Sequence, residues 1–420
     1  MTELKLQPSC ADDYDPDSLS VAEALQRIDQ VAVPITGFEK VALRSALNRV
    51  LAETITSPID VPAHTNSAMD GYAVRAADLP AEGIGELTVI GTVLAGAPFE
   101  GVLGPGTAVR IMTGAVLPQG ANCVVMQERA EREDDKVRIS PGNKAGQNIR
   151  QAGEDLAAGD PVLEPGRLIT PADLGVLASL GIAEVRVWRR LRVAFFSTGD
   201  ELRSIGETLQ EGQIYDSNRY TLYGMLTRLG VETIDMGVVR DRQDELRAAF
   251  QTAAANADAV ITSGGVSVGE ADFVKDILQS LGAVNFWKIA MKPGRPMAFG
   301  KIGDAVFFGL PGNPVSVMVT FYEFVQSALK RMTGQAETAL VTVKVPCTMR
   351  LKKRPGRMEF QRGILERLPD GSFVVHGTGD QGSGILSTMS QANCFIVLPE
   401  DCGNVEAGRL VDVQPFEGLV

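Results

Sequence analysis

Apolar positions along this chain keep two different rhythms. In VAEALQRIDQV they recur every three or four residues, as on one face of a helix, and Ser20 with Glu23 forms a capping box ahead of the run. The same spacing predicts a second helix over VALRSALNRVLAE. From about Ser57 the pattern shortens to β-rich pieces separated by Gly and Pro: LTVIGTVLAG, TAVRIMTGAVLP, NCVVMQERAE and KVRISPG. Thr170-Pro171 then starts a helix that Gly181 can stop. Beyond Glu184, strand-like runs alternate with helical ones such as NRYTLYGMLTRLG and RQDELRAAFQTAAANA, the texture of a parallel or mixed sheet covered by helices. After Gly334 strands return in ALVTVKVPC, RMEFQRGIL, SFVVHGT, CFIVLPE and LVDVQPF. The expected organisation is a disordered N-terminus (1–17), an elongated helical and β linking domain (18–57 with 148–188), an inserted β domain (58–147), an α/β domain with a mixed sheet (189–334) and a C-terminal β-barrel-like domain (335–420).

Three of the apolar runs break into loops of Gly, Pro, Ser and acidic residues: VAFFSTGDEL, AVITSGGVSVGEADF and AVFFGLPGNPVS. Each is followed by residues able to start a helix. In a parallel sheet such loops gather outside the carboxyl ends of the strands, where ligands bind. Glycines let backbone N–H groups approach an anion, and a helix N-terminus adds partial positive charge. Carboxylates in the same loops would repel a bare phosphate, which points to a divalent cation between them.

Composition narrows the chemistry. The chain has 420 residues, 45% hydrophobic and 22% charged, enough for several globular domains. A net charge of −12 argues against a general nucleic-acid binder. No apolar stretch is long enough to span a bilayer, and the N-terminal residues lack a signal peptide's basic and apolar regions, so a cytoplasmic protein without a membrane partner is expected. The five cysteines form no CxxC pair, against a disulfide framework or structural zinc. With two histidines only, His64 and His376, a cation must be held by oxygen ligands, which favours magnesium.

Each candidate residue also has an ordinary structural reading. Asp70-Gly71 in NSAMDGYAVR is a strong turn signal, though its acid could face a cleft. Thr113 in IMTGAVLPQG can cap a turn. Glu201, Asp241 and Asp272 each follow a strand-like run and can converge on one cation, or cap helices, as Asp200 is expected to do. Lys288, Lys292 and Arg295 lie in KIAMKPGRPMAFG, where two prolines stiffen a loop able to clamp a tetrahedral oxyanion. Arg362 in FQRG and Ser383 in DQGSG carry no signal alone. Gly265-Val-Ser-Val-Gly269 fits the G-x-S-x-G of a hydrolase nucleophile elbow, with Ser267 as nucleophile. That reading leaves the lysine loop and the carboxylates idle, and puts His376 on a strand of a separate domain. There is no GxxxxGK[ST] or GxGxxG.

Together, NSAMDGYAVR, RIMTGAVLPQGANCVVMQE, GQNIRQAGEDLAAGD, FSTGDEL, GQIYDSNRY, SGGVSVGEADF, KPGRPMAFG and LPGNPVS resemble the molybdopterin molybdenumtransferase family, relatives of the gephyrin E domain. The resemblance runs from about Ser18 to the C-terminus. It implies a three-layer α/β domain of molybdopterin-binding type, a homodimer with its site between the subunits, and functional contact with the molybdopterin adenylyltransferase and other cofactor-biosynthesis proteins. It implies that adenylylated molybdopterin and molybdate react in a Mg2+-dependent step, giving molybdenum cofactor and AMP. The family's functional acids fall on Asp70, Asp155, Glu201, Asp241 and Asp272, with Thr113 nearby, and the metal on Glu201, Asp241 and Asp272. Substrate contacts fall on Arg150, Ser263, Gly264, Gly265, Ser267, Lys288, Pro311 and Pro314, and molybdate contacts on Lys292, Arg295, Pro296, Arg362 and Ser383. Position 295 is often Lys in relatives and is Arg here, which keeps the charge and changes the head-group geometry. A scaffold role, which gephyrin's E domain also plays, is the remaining alternative.

Overall fold

The computed structural model describes residues 18–265, 272–336 and 339–416; the side chain of Asp272 and all of Ser267 lie outside the described set. The chain is a multidomain protein of α/β and β structure. By internal packing it forms two compact units: Met1–Glu39, Asn48–Ala52 and Val187–Val420 make one, Lys40–Leu47 and Glu53–Arg186 the other.

The second unit is built on a six-stranded sheet. Its order is Cys123–Met126, Gly71–Val74, Thr107–Ile111, Gly85–Val93, Lys136–Ile139 and Ala130–Glu133. Only Gly85–Val93 and Thr107–Ile111 run parallel. Tyr72 and Val74 pack on one face and Ala73 on the other, as the two-residue period of a strand requires. The helix Pro171–Ser179 begins at Thr170, whose side chain and Asp173 form a reciprocal cap, and Gly181 follows at φ +71°. The helix expected over VALRSALNRVLAE does not form. In its place the chain makes a short 3-10 turn at Leu43–Ala46 and turns at Asn48, whose φ is +58°.

The first unit begins with helix α1, Val21–Val31, capped by Ser20 and Glu23. After the second unit come strand β1 (Arg192–Thr198), helix α2 (Ser217–Arg228), β2 (Glu232–Val239), α3 (Gln243–Asn256), β3 (Ala259–Ser263), α4 (Asp272–Leu281), β4 (Gly282–Lys288), β5 (Met291–Lys292), β6 (Pro296–Ile302), β7 (Ala305–Leu310), α5 (Pro314–Thr320) and α6 (Gln326–Met332). The sheet order is β2-β1-β3-β7-β6-β4, parallel through β7 and antiparallel beyond it. Phe195, Ile261 and Phe308 pack on one face with α1, α2 and α5; Phe196, Val260 and Phe307 pack on the other with α3 and α4. Burial on both faces explains why these strands read as unbroken apolar runs.

The chain ends in β8 (Val343–Pro346), β9 (Met358–Arg367), β10 (Phe373–Gly377), β11 (Cys394–Leu398) and β12 (Leu410–Pro415). These pair in the order β10-β9-β11-β12-β8, with β5 added on β9. A bridge between Cys347, just past β8, and Val375 of β10 closes the circuit, so the barrel-like expectation holds.

Candidate functional site

Because β1, β2, β3 and β7 run parallel, their carboxyl ends lie at one edge. The loops that leave this edge begin at Thr198, Val239, Ser263 and Leu310. A short network ties them together. Asp216 is the N-cap of α2, and its Oδ1 accepts from Ser197 Oγ at 3.0 Å and from the Arg219 N–H at 3.1 Å. Asn218 Nδ2 donates to Ser263 Oγ at 2.8 Å and to the Gly312 carbonyl at 2.7 Å, joining the β3 and β7 loops. Gly264 and Gly265 turn tightly over Thr198, with φ of +91° and +69°. The Gly264 N–H donates to the Leu310 carbonyl at 3.1 Å, so that of Gly265 is the better placed of the two to meet an anion.

Among the described residues, three polar atoms at this edge are buried with no hydrogen-bond partner: Thr198 Oγ1, Asp216 Oδ2 and Asn218 Oδ1. Native structures rarely leave such atoms unsatisfied, so a water, an ion or a ligand group can complete them. None of the three residues was singled out from sequence. Asp216 and Asn218 do stand in GQIYDSNRY, where an Asp before a helical run signals an N-cap.

The acids sit beside this network. Glu201 folds back so that its carboxylate covers Gly199. The Asp241 N–H lies 3.4 Å from Asp200 Oδ1. Burial first, and then the charges of Asp200 and Glu201, push the Asp241 carboxyl above the usual range. Asp200 therefore does not cap a helix: the residues after it form the short pair Leu202–Arg203 and Ile214–Tyr215. Among the described residues no three acidic, His or Cys side chains already form a metal cage.

The basic loop lies between the sheet and the barrel of the same unit. Lys288 ends β4 opposite Pro296, the first residue of β6, and the Arg295 carbonyl accepts from the Ile289 N–H at 2.8 Å. Lys292 lies on β5 directly beside Glu359 of β9. Arg362 is 1% exposed, and burial lowers its pKa to about 10 against the pull of Asp380. Its guanidinium donates to Thr388 Oγ1 and to the carbonyls of Asp380, Gln381 and Gly382. It thereby shapes the loop whose Ser383 carbonyl accepts from the Val315 N–H at 3.1 Å. Pro314 is the first residue of α5, and the Pro311 carbonyl lies 3.5 Å from Ser263 Oγ.

In the second unit, Asp70 and Thr113 meet. Asp70 Oδ1 accepts from both the backbone N–H and the hydroxyl of Thr113, each at 2.7 Å, which holds the carboxyl below its usual range. Arg150 pairs with Asn66 across a two-stranded ladder, and the Asp155 N–H donates to the Val61 carbonyl at 3.0 Å.

Residues 19–181 match the MoeA N-terminal region (domain I and II), 194–331 a probable molybdopterin binding domain, and 344–416 the MoeA C-terminal region (domain IV). A molybdopterin molybdenumtransferase of Haemophilus influenzae is 49% identical over 399 residues, which covers 94% of this chain and 97% of the relative. The chain belongs to the molybdopterin molybdenumtransferase family. A Nostoc member of that family is 40% identical over 370 residues, 86% of this chain and 85% of its own. Among solved structures, a molybdopterin biosynthesis moeA protein from Pyrococcus horikoshii OT3 superposes with a TM-score of 0.83 at 33% identity, covering 95% of this chain and 100% of that one. This family member is thus an enzyme of molybdenum cofactor biosynthesis.

Proposed function

We propose that this enzyme inserts molybdate into adenylylated molybdopterin and releases AMP in a magnesium-dependent step. The observation that carries the reading is the edge of the first unit's sheet, where unsatisfied buried acceptors, a glycine turn and crowded carboxylates coincide. The donor set suits a hard divalent cation, whose charge would relieve the repulsion felt by Asp241. Glu201 and Asp241, with Asp272 as the third acid, would hold magnesium, which supplies charge neutralisation for the phosphoanhydride oxygens.

The chain's own residues do the positioning. Gly265 offers a backbone donor to phosphate, while Ser263, Pro311 and Asn218 fix the loops around it. Arg362 carries a buried charge whose hydrogen bonds go to a hydroxyl and to carbonyls, with Asp380 attracting it, and its guanidinium would add positive charge to an oxyanion site. Lys292, Arg295, Pro296 and Ser383 complete the molybdate set in this reading, with Lys288 and Pro314 as further substrate contacts. Bringing a dilute oxyanion against the pterin dithiolene in one orientation is the main contribution. Asp70, Thr113, Arg150 and Asp155 belong to the same reaction on the family pattern, as does Ser267. The reading includes a cytoplasmic homodimer that receives its substrate from the molybdopterin adenylyltransferase, and the five-part domain division given above.

The test is AMP release from adenylylated molybdopterin by purified protein with magnesium and molybdate. Glu201→Gln and Asp241→Asn should each lower turnover by about 100-fold or more, the scale expected when charge stabilisation is removed. Full turnover in both variants would refute the assignment.

A further inference from the structure

Glu359 is a buried carboxylate beside the lysine loop that the reaction as read above does not use. It is 4% exposed, and the parallel pairing of β5 with β9 sets it directly beside Lys292. The two charges are 3.8 Å apart, from Lys292 Nζ to Glu359 Oε1, too long for a hydrogen bond. The Lys292 side chain is 46% exposed, so its ammonium is held loosely and has solvent to turn into. The other carboxylate oxygen is held firmly: Glu359 Oε2 accepts from Gln361 Nε2 at 2.9 Å, and the same amide donates to the Lys352 carbonyl at 2.9 Å.

A second ammonium lies on the protein side. Lys353 is 4% exposed; its N–H donates to Asn404 Oδ1 at 2.9 Å and its Nζ to the Arg354 carbonyl at 3.0 Å. Burial lowers its pKa, and the attraction of Glu359 opposes that fall, as do Cys402 and Asp401, while Arg357 adds to it. Glu359 thus has one ammonium 3.8 Å away on its exposed side, that of Lys292, and is attracted by a second, buried one, that of Lys353. A buried carboxylate is costly to keep ionised without positive charge nearby. The attraction of Lys353 remains when Lys292 turns into solvent.

We propose that Glu359 competes with the incoming oxyanion for Lys292, so that this carboxylate sets how tightly an anion must bind to draw the ammonium away. The inference rests on the reading of Lys292 as an oxyanion ligand. Glu359 is a positioning residue: it acts through Lys292 and touches no substrate. The Gln361 amide holds the carboxylate in place when Lys292 turns away.

Calorimetric titration of the full chain with sodium molybdate at fixed ionic strength tests this. Lys292→Met should weaken binding at least tenfold. Glu359→Gln keeps the side-chain length and an acceptor for Gln361 but removes the competing charge, so Kd should fall at least threefold. In the Lys292→Met background the same change should alter Kd less than twofold. A residue with a merely structural role would weaken binding on mutation, so an unchanged or raised Kd in Glu359→Gln overturns the proposal. Equal tightening with and without Lys292 overturns it too, as simple repulsion. Wild-type affinity in Lys292→Met would remove the oxyanion reading itself, and the competition with it. A weakened Lys292→Met beside an unaltered Glu359→Gln removes only the competition. Should Glu359→Gln fail to fold, Glu359→Asp, which withdraws the carboxylate from Lys292, should shift Kd in the same direction, and failure to do so counts against the proposal.

Discussion

Glu323 lies in a π-helical turn, Phe321–Val325, between α5 and α6, 7% exposed and, among the described residues, with no partner for Oε1. Burial pushes its carboxyl from 4.5 up to about 8. Between those values the folded chain keeps a proton that the unfolded chain has released. Stability therefore falls as pH rises, by up to about 1.4 kcal/mol per pH unit, and the slope ends once pH passes the folded value. Urea midpoints measured from about pH 5 to pH 8 should show this decline, and Glu323→Gln should flatten it. Asn218 tests the site at the same scale. Its amide joins the β3 and β7 loops, so Asn218→Ala should cut turnover by about 10- to 100-fold with little loss of thermal midpoint; steady-state kinetics beside thermal melts separates the two effects. Individual side chains were unevenly legible in the sequence. Acids after strands marked Glu201 and Asp241 because carboxylates at parallel strand ends share one edge. Asp200 has the sequence setting of a cap, but the helix after β1 starts only at Ser217, with Asp216 in the capping role.

At the scale of elements, the turn at Gly264 depends on close approach. A Cβ there would stand 2.6 Å from the Thr198 carbonyl, and φ is +91°. Gly264→Ala should cost about 1–3 kcal/mol of stability, the usual range for strain in the left-handed region, and should displace the neighbouring Gly265 N–H. Denaturant titration measures the first effect and the KM for adenylylated molybdopterin the second. Most strands and long helices were readable because their apolar period is local. Both caps, Ser20 with Glu23 and Thr170 with Asp173, formed as their spacing requires. The run VALRSALNRVLAE fits a helical period and still fails as a helix. Asn48 adopts a left-handed backbone, and beyond it Arg49, 8% exposed, donates to Glu39 and to the Trp188 carbonyl at 2.8 Å each. Partners this distant in sequence leave no periodic trace.

At the scale of the molecule, one hydrophobic cluster spans the α/β layer and the barrel of the first unit. Phe195, Ile261 and Phe308 of the sheet belong to it together with Phe360 and Phe395 of the barrel. Tyr322, beside the π-helical turn's Glu323, lies 6.2 Å from Phe395, which in turn meets Phe416 edge-on at 4.8 Å. Such continuity was invisible in the sequence, as was barrel closure through Cys347 and Val375, because both are fixed by pairings between distant segments. Its consequence is cooperative: the barrel and the α/β layer should unfold together although they are separate sheets. Phe395→Ala should cost about 3–5 kcal/mol by leaving a cavity in the shared core. Native-state hydrogen exchange should then speed up by a similar factor in β3 and β7 as in β9 and β11. Acceleration confined to the barrel strands would mean that the two layers open independently, and that the aromatic seam does not couple them.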